Sequence, residues 1–423
     1  MSLMPQRGLW LVGALALGCS CSPYGGGSFA CTTDTQCAPD GVCATGFCAF
    51  PDPLCDSQFR YGELSGPNSG KCVGATNPDV DAAIDADETP TPDGAVCYGT
   101  GLVHPCFASA PTGNLTFSST VLDTGTSNMC ATLVGPNANA WCVLAGSSIT
   151  VSSGGFLAAN GSRPLVLIST GTITIQGNLN VASQRQFTST GAAANAAGCN
   201  AGTAPTVSSG GAGGSFGGKG GNGAIAGAAA AAGIAGNALT VTALRGGCPG
   251  QDGSDPAAMG RGGDGGDGGG AVWLFAATSI NISGAINASG AAGLNADAAS
   301  SSGGGGGGAG GFIGLESPSI TNTGNVFANG GGGGEASGNA STGVPGTEST
   351  SATAGGLGGA GGTNFGTDGG NGSLGATLTG QPGVATCTGT CTTPAAGGGG
   401  GGGAGIIKTI PTISLANTSP PST

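Results

Sequence analysis

The hydrophobic pattern of this chain is built from short alternating runs set in long stretches of glycine. Over residues 165–183, LVLISTGTITIQGNLNVAS, apolar and polar residues alternate, with Gly or small residues between the runs. Alternation with a period of two is the signature of a half-buried strand, so the stretch predicts three short strands joined by turns. Versions of it recur. Ile149 and Val151 lead to Phe156, and Ile173 and Ile175 lead through Gly177 to Leu179 and Val181. Ile280 and Ile282 lead through Gly284 to Ile286 and Ala288, and Ile320 and Asn322 lead through Gly324 to Val326 and Ala328. Ile413 and Leu415 form the last copy. A further apolar run precedes each one: AWCVLA, PLVLIS, AVWLFA, GFIGLE and GIIK.

The first two copies lie 24 residues apart, and the later ones follow after 107, 40 and 93. A repeat in the range of roughly 20–50 residues points to stacked units. Asn-Gly at 160–161 and 329–330 suits corners that need positive φ. The expected fold class is all-β: a right-handed parallel β-helix-like solenoid over residues 97–423. A β-sandwich, in which the same strand groups pair face to face, is the alternative. Gly-rich excursions interrupt the repeat at about 184–270, 289–310 and 329–404. Within them glycine often falls every third residue, as at Gly211, Gly214, Gly217, Gly220 and Gly223. Gly260, Gly263, Gly266 and Gly269 repeat the spacing, as do Gly366, Gly369, Gly372 and Gly375. Polyproline II has three residues per turn, so this spacing bares one edge of each helix and permits close packing. Ordering so much glycine is entropically costly, which leaves disordered loops open as the other reading.

Composition adds the setting. Of 423 residues, 94 are Gly and only 7% are charged, which suits neither a helical bundle nor a charge-stabilised disordered chain. The net charge is −12, and no Lys/Arg cluster exists to neutralise phosphates, so nucleic acid is excluded as a partner. Sixteen cysteines with no zinc-type CxxC pairs point to an oxidising, extracytoplasmic location. Arg7 followed by LWLVGALAL reads as a signal peptide over residues 1–18, too short an apolar run for a comfortable membrane span. The run LALGC ends in Cys19 and resembles a bacterial lipobox, with Ala16 where that motif prefers Leu. Residues 19–30 then form a lipidated tether; the alternative is an ordinary signal peptide cleaved nearby. Lipid acylation at Cys19 would attach the protein to a membrane, with Ser20 read as directing it to the outer membrane.

Cys31, Cys37, Cys43, Cys48, Cys55 and Cys72 mark a compact disulfide module over residues 31–74, whose 15 possible pairings sequence does not separate. Cross-links would supply the stability that its small core lacks. Residues 75–96 read as an extended Asp/Pro linker. Cys97, Cys106, Cys130, Cys142, Cys199, Cys248, Cys387 and Cys391 complete the disulfide candidates, with Cys199 and Cys248 bracketing one long excursion.

A lipobox, a cysteine cluster ending in Arg60-Tyr61-Gly62 and Cys72-Val73-Gly74, an Asp/Pro linker and a Gly-rich body together resemble a family of glycine-rich myxobacterial-type surface lipoproteins, often labelled PE-PGRS-like. The resemblance implies the cell envelope and no activity. The Pro-Glu domain behind that label is not visible.

No catalytic constellation emerges. His104 is the single histidine, so any Ser-His-Asp or Cys-His site would need it. The strands carry almost no charge beyond Glu316 and Lys408, Arg163 sits at a corner, and no paired carboxylates for glycoside hydrolysis stand on neighbouring repeats. Asp264 and Asp267 in GRGGDGGDGGG resemble calcium-binding Gly/Asp repeats, but the motif occurs once and imperfectly, as a polar Gly loop would. No GKS or GKT follows a glycine run, and no cofactor is expected. The reading is a non-enzymatic, lipid-anchored surface protein, structural or adhesive, whose partners are surface polysaccharide or other cells. The alternative is a carbohydrate-binding or polysaccharide-processing β-helix protein. A flat Thr/Asn face for binding ice would need Thr regularly spaced over many repeats, and only Thr172 and Thr174 come close.

Overall fold

The computed structural model describes residues 30–74 and 94–423, apart from 54, 56, 63–64, 66–67, 70, 136, 186–189, 227–229, 257–261, 298–300, 339–341, 361–365 and 385–395. Cys19, Cys387, Cys391 and most of the expected linker therefore lie outside the described residues. The chain divides into two compact units, Met1–Glu88 and Thr89–Thr423. The regular structure is nearly all strand, about 2% of the chain being helical.

In the first unit, β1 (Val42–Ala44), β2 (Phe47–Pro51) and β3 (Phe59–Tyr61) form an antiparallel sheet. Thr45 and Gly46, both at positive φ, make the two-residue turn between β1 and β2. The pairings are Cys31–Cys43, Cys37–Cys48 and Cys55–Cys72. The buried cluster is itself made of Cys31, Cys37 and Cys48, so sulfur stands where a larger domain would bury aliphatic side chains.

The second unit begins with a hairpin, β4 (Val96–Cys97) and β5 (Cys106–Phe107), closed by Cys97–Cys106. Next come β6 (Asn114–Phe117) and β7 (Thr120–Asp123). The chain then runs through triplets. These are β8 (Cys142–Gly146), β9 (Ser148–Val151) and β10 (Phe156–Asn160), followed by β11 (Leu165–Ser169), β12 (Thr172–Ile175) and β13 (Asn178–Asn180). Two more are β14 (Ala271–Ala276), β15 (Ser279–Ile282) and β16 (Ala285–Asn287), then β17 (Phe312–Glu316), β18 (Ile320–Asn322) and β19 (Asn325–Phe327). β20 (Ile406–Ile410) and β21 (Thr418–Ser419) end the series.

Corresponding members of the triplets pair in parallel, giving three sheets in the orders β20-β17-β14-β11-β8, β18-β15-β12-β9-β6 and β21-β19-β16-β13-β10-β7. None of the sheets is closed. The register places like residues in columns: Ile149, Ile173, Ile280 and Ile320 oppose one another, as do Leu144, Leu167, Leu274 and Leu315. These columns supply one continuous buried cluster, in which Ile149, Ile173, Leu167 and Leu274 are fully buried. Ile413 and Leu415, aligned with the repeat by sequence, form no strand. Pro411 lacks an amide donor, and the Thr409 hydroxyl bonds the Ile413 amide and carbonyl in place of a neighbouring strand.

The sheet containing β11, β14 and β17 is buried on both faces, which explains runs such as LVLIS and AVWLFA that barely alternate. Its outer face, with Val143, Val166, Ile168, Trp273 and Phe312, is covered by Val103 and Phe107 of the hairpin region and by Phe216, Leu244 and Ala309 from the Gly-rich segments. Those segments carry almost no strand, yet they are stitched together by backbone hydrogen bonds at every third residue. Gly211 and Gly214 donate to Gly304 and Gly307. Gly304, Gly307 and Gly310 donate to Gly397, Gly400 and Gly403. Gly400 and Gly403 donate back to Gly211 and Gly214, closing a ring of three parallel segments at 2.9–3.0 Å per bond. Only glycine fits at this approach, because a Cβ built on Gly306 would stand 2.0 Å from the Ala212 carbonyl oxygen.

Candidate functional site

The sheet of β6, β9, β12, β15 and β18 points its apolar residues inward and its polar residues outward, except that Asn322 of β18 stands in register with the buried Ile282. Parallel register converts that alternation into columns. Thr116, Thr150, Thr174, Asn281 and Thr321 form one, each directly opposite the next. Two residues earlier, Asn114, Ser148, Thr172, Ser279 and Ser319 form a second; two residues later, Ser118, Ser152, Gln176, Ser283 and Thr323 continue the same positions past the strand ends. Strands about 4.8 Å apart and alternate residues about 6.6 Å apart set the two spacings of the array. It contains no charged and no aromatic side chain.

Side chains brace one another along these columns. Ser148 donates to Asn114 Oδ1 at 2.8 Å and Thr321 to Asn281 Oδ1 at 2.9 Å, while the Thr172 and Ser279 hydroxyls stand 3.3 Å apart. The β-branched threonines have few χ1 rotamers to choose from, so the hydroxyls are held in place. The array is uncharged and periodic, in a chain with a net charge of −12. Such a surface can offer hydrogen bonds to a neutral, regularly repeating partner, and no histidine, lysine or carboxylate stands within it to activate a hydroxyl.

A second feature lies on the sheet of β7, β10 and β13. Val121, Phe156, Ala158, Asn160, Asn180 and Gln184 line an open hollow of about 290 Å³. Val121 and Phe156 are exposed there, making the hollow mainly apolar.

The residues singled out by sequence are dispersed. The His104 ring Nδ1 lies 2.7 Å from the Gly99 carbonyl, which ties down a turn. Glu316 is buried and accepts hydrogen bonds from the Thr100 amide at 2.7 Å, the Thr100 hydroxyl at 2.8 Å and Trp273 Nε1 at 3.3 Å. It pins the hairpin segment to the outer face of the apolar sheet. Arg163 donates to the Thr124 carbonyl at 2.6 Å and closes a corner. Beside it, hydrogen bonds from the Thr126 hydroxyl and the Gly125 amide hold the Asp123 carboxyl below its ordinary range. Asp267 accepts from Asn195 at 2.6 Å, and the carbonyls of Asp264 and Asp267 bond Leu294 and Ala291, so their backbone belongs to the Gly-rich array.

Two groups of possible metal ligands occur among the described residues, Cys31 with Cys37 and Cys48, and Cys97 with His104 and Cys106. Their cysteines are all in disulfides and offer no thiolate to an ion. Cys130–Cys142 and Cys199–Cys248 are the remaining bridges.

Sequence reading weighed a Thr/Asn face on Thr172 and Thr174 alone and missed the ladder that runs across all five strands. Its signal is a polar residue, an apolar one and a polar one in NLT, SIT, TIT, SIN and SIT, but up to 107 residues separate successive copies. No described helix is long and apolar enough to cross a membrane. No family model, curated protein or solved structure matches this chain.

Proposed function

We propose that this is a non-enzymatic surface protein that adheres through the Ser/Thr/Asn ladder, on a rigid scaffold. The three parallel sheets are read as the faces of a right-handed β-solenoid, the hand that parallel crossovers almost always take. The Gly-rich segments are read as polyproline II helices packed against one of those faces, in keeping with their three-residue hydrogen-bond period. Lipid attachment at Cys19, an extracytoplasmic site on the outer membrane, and kinship with the glycine-rich surface lipoproteins complete the reading; they rest on the sequence alone, through the lipobox, the cysteines, the linker and the Gly-rich body. The observation that carries the proposal is the array itself: fifteen positions in three columns of five, all Ser, Thr, Asn or Gln.

A neutral surface polysaccharide is the partner that this chemistry favours. The array lacks cations for an acidic polymer and carboxylates for a basic one. Affinity per contact would be low, since each hydroxyl exchanges one hydrogen bond with water for another, and repetition would supply the avidity. The test is adsorption of the full-length protein to whole cells and to a glycan array, comparing the wild type with a Thr150→Arg/Thr174→Arg double variant. Loss of adsorption with an unchanged melting temperature supports the proposal. Unchanged adsorption, or release of soluble sugar from any bound glycan, sinks it. Mass spectrometry of the membrane fraction should find an acylated peptide beginning at Cys19; an unmodified Cys19 refutes the anchor.

A further inference from the structure

The Cys199–Cys248 bridge has surroundings unlike those of the other described disulfides. It joins residues 49 apart, and Arg245 folds back across it. Arg245 Nη2 stands 3.0 Å from Cys199 Sγ and 3.6 Å from Cys248 Sγ. The rest of the guanidinium is held by carbonyls, with Nη1 2.8 Å from Ala197 O, Nη2 3.0 Å from Ala196 O and Nε 3.3 Å from Gly246 O. Its central carbon lies 5.8 Å from the centre of the Phe216 ring. The ion pair found among the described residues is Arg60–Asp52, so Arg245 has no carboxylate partner among them. Burial pulls its pKa below the usual value, yet a guanidinium stays charged in a protein.

A half-buried cation without an anion is strongly stabilised by one that forms beside it. Reducing this disulfide would create such an anion, because each sulfur released is first a thiolate. Elsewhere carbonyl oxygens, which oppose a thiolate, lie near the sulfurs: Gln36 O by Cys48, His104 O by Cys106 and Thr124 O by Cys130. The His104 ring also stands within 4.8 Å of the Cys97 and Cys106 sulfurs, but the guanidinium contacts to sulfur found among the described residues are those of Arg245. Cys199 has such a neighbour too, with Ala196 O at 3.3 Å from its sulfur. For Cys248 the contact found is Arg245. Cys199 is half-buried, whereas Cys248 is only 2% exposed.

We propose that Cys199–Cys248 is a thiol–disulfide exchange site, opened by a dithiol reductant at Cys199 with Cys248 leaving as a thiolate held by Arg245. In the first step one thiolate of the dithiol attacks Cys199 Sγ. A bond forms between those sulfurs while the bond between Cys199 and Cys248 breaks, and its electron pair departs on Cys248 Sγ beside the guanidinium. In the second step the other thiol of the reductant loses its proton and attacks its partner sulfur in the mixed disulfide. The reductant leaves as a cyclic disulfide and Cys199 becomes a thiolate. The dithiol loses two electrons and two protons; the protein gains both electrons, and protons from solvent balance whatever charge its thiolates do not keep. A leaving thiol of lower pKa departs faster, so the guanidinium lowers the barrier of the first step.

The bridge closes a loop bearing Phe216, Leu239, Val241 and Leu244, which pack with Trp273 and Phe312 on the outer face of the apolar sheet. Opening it removes a covalent clamp on that cover, since cross-linking a long loop restricts its unfolded states strongly. The site is independent of the adhesive ladder.

The test is a time course of the native full-length protein in dithiothreitol, with alkylation and mass spectrometry to count opening at each cysteine. Cys199 and Cys248 should be labelled before the other bridged cysteines. Arg245→Met should slow their labelling by about three- to tenfold, because the leaving thiolate loses the cation beside it. Arg245→Lys, which keeps the charge, should retain most of the wild-type rate, and labelling of the remaining cysteines should not change. If Cys199 and Cys248 open no sooner than the rest, or open in Arg245→Met at the wild-type rate or faster, the proposal is overturned.

Discussion

Single residues show how little room the Gly-rich segments leave. A Cβ on Gly399 would meet the Gly305 carbonyl oxygen at 2.0 Å, and one on Gly402 would meet the Gly308 carbonyl oxygen at 1.9 Å. These neighbours are backbone, held by their own hydrogen bonds, and cannot rotate away. Gly306→Ala should therefore destabilise the protein by about 2–3 kcal/mol or more in thermal or denaturant unfolding. That cost outweighs the gain of up to about 1 kcal/mol that alanine offers by restricting the unfolded chain. Gly375→Ala is the control. It has open space around its Cα but a φ of +58°, so about 1–2 kcal/mol of backbone strain is its expected penalty. Equal and negligible effects at both positions would show that the close approach is not real.

At the scale of elements, the division of labour along a strand is testable in β12. Ile173 and Ile175 are fully buried, while Thr172 and Thr174 face outward. Ile173→Ala and Ile175→Ala should each cost about 2–5 kcal/mol of unfolding free energy, the range for emptying a core position. Thr172→Ala and Thr174→Ala should each cost less than about 1 kcal/mol, the scale of a cross-strand pair on a solvated face. A comparable loss on both faces would mean that the outer face is covered. The alternation behind this prediction was legible from TITI alone, because period two is local. The ladder was not, because Thr150, Thr174 and Asn281 become neighbours only once residues 184–270 have looped out and the chain has returned in register. The double-sided burial of Trp273 was hidden for a similar reason: the cover over its face includes Phe107 and Phe216, far away in sequence.

For the molecule as a whole, the three parallel sheets and the hydrogen-bonded Gly-rich segments form one unit, in which Phe216 and Ala309 sit directly against the apolar sheet. The amides of Gly304, Gly307 and Gly310 should then exchange with solvent as slowly as those of Leu167 or Leu274. Mass spectrometry or NMR of deuterium exchange would read this directly. Complete exchange of these glycines within seconds would return the segments to disordered loops. In the unit of residues 1–88, stability rests on three bridges over a very small core, and its pairings were open to sequence because six cysteines in a short span have many compatible arrangements.

What the sequence determined by itself is whatever depends on near neighbours along the chain. The alternation of Ile173 and Ile175 with Thr172 and Thr174 and the three-residue spacing of glycine are written in stretches of a few residues. What only the tertiary structure decided depends on return after long excursions. It chose which three of the possible cysteine pairings close the first unit, and it brought Arg245 onto a bridge whose other end is Cys199. It joined Gly211, Gly304 and Gly397 through bonds between neighbouring segments, and set five separate polar triplets side by side on one sheet. Loop-closure entropy rises only slowly with length, so excursions of this size are tolerated, and their destinations follow from packing partners that no local pattern names.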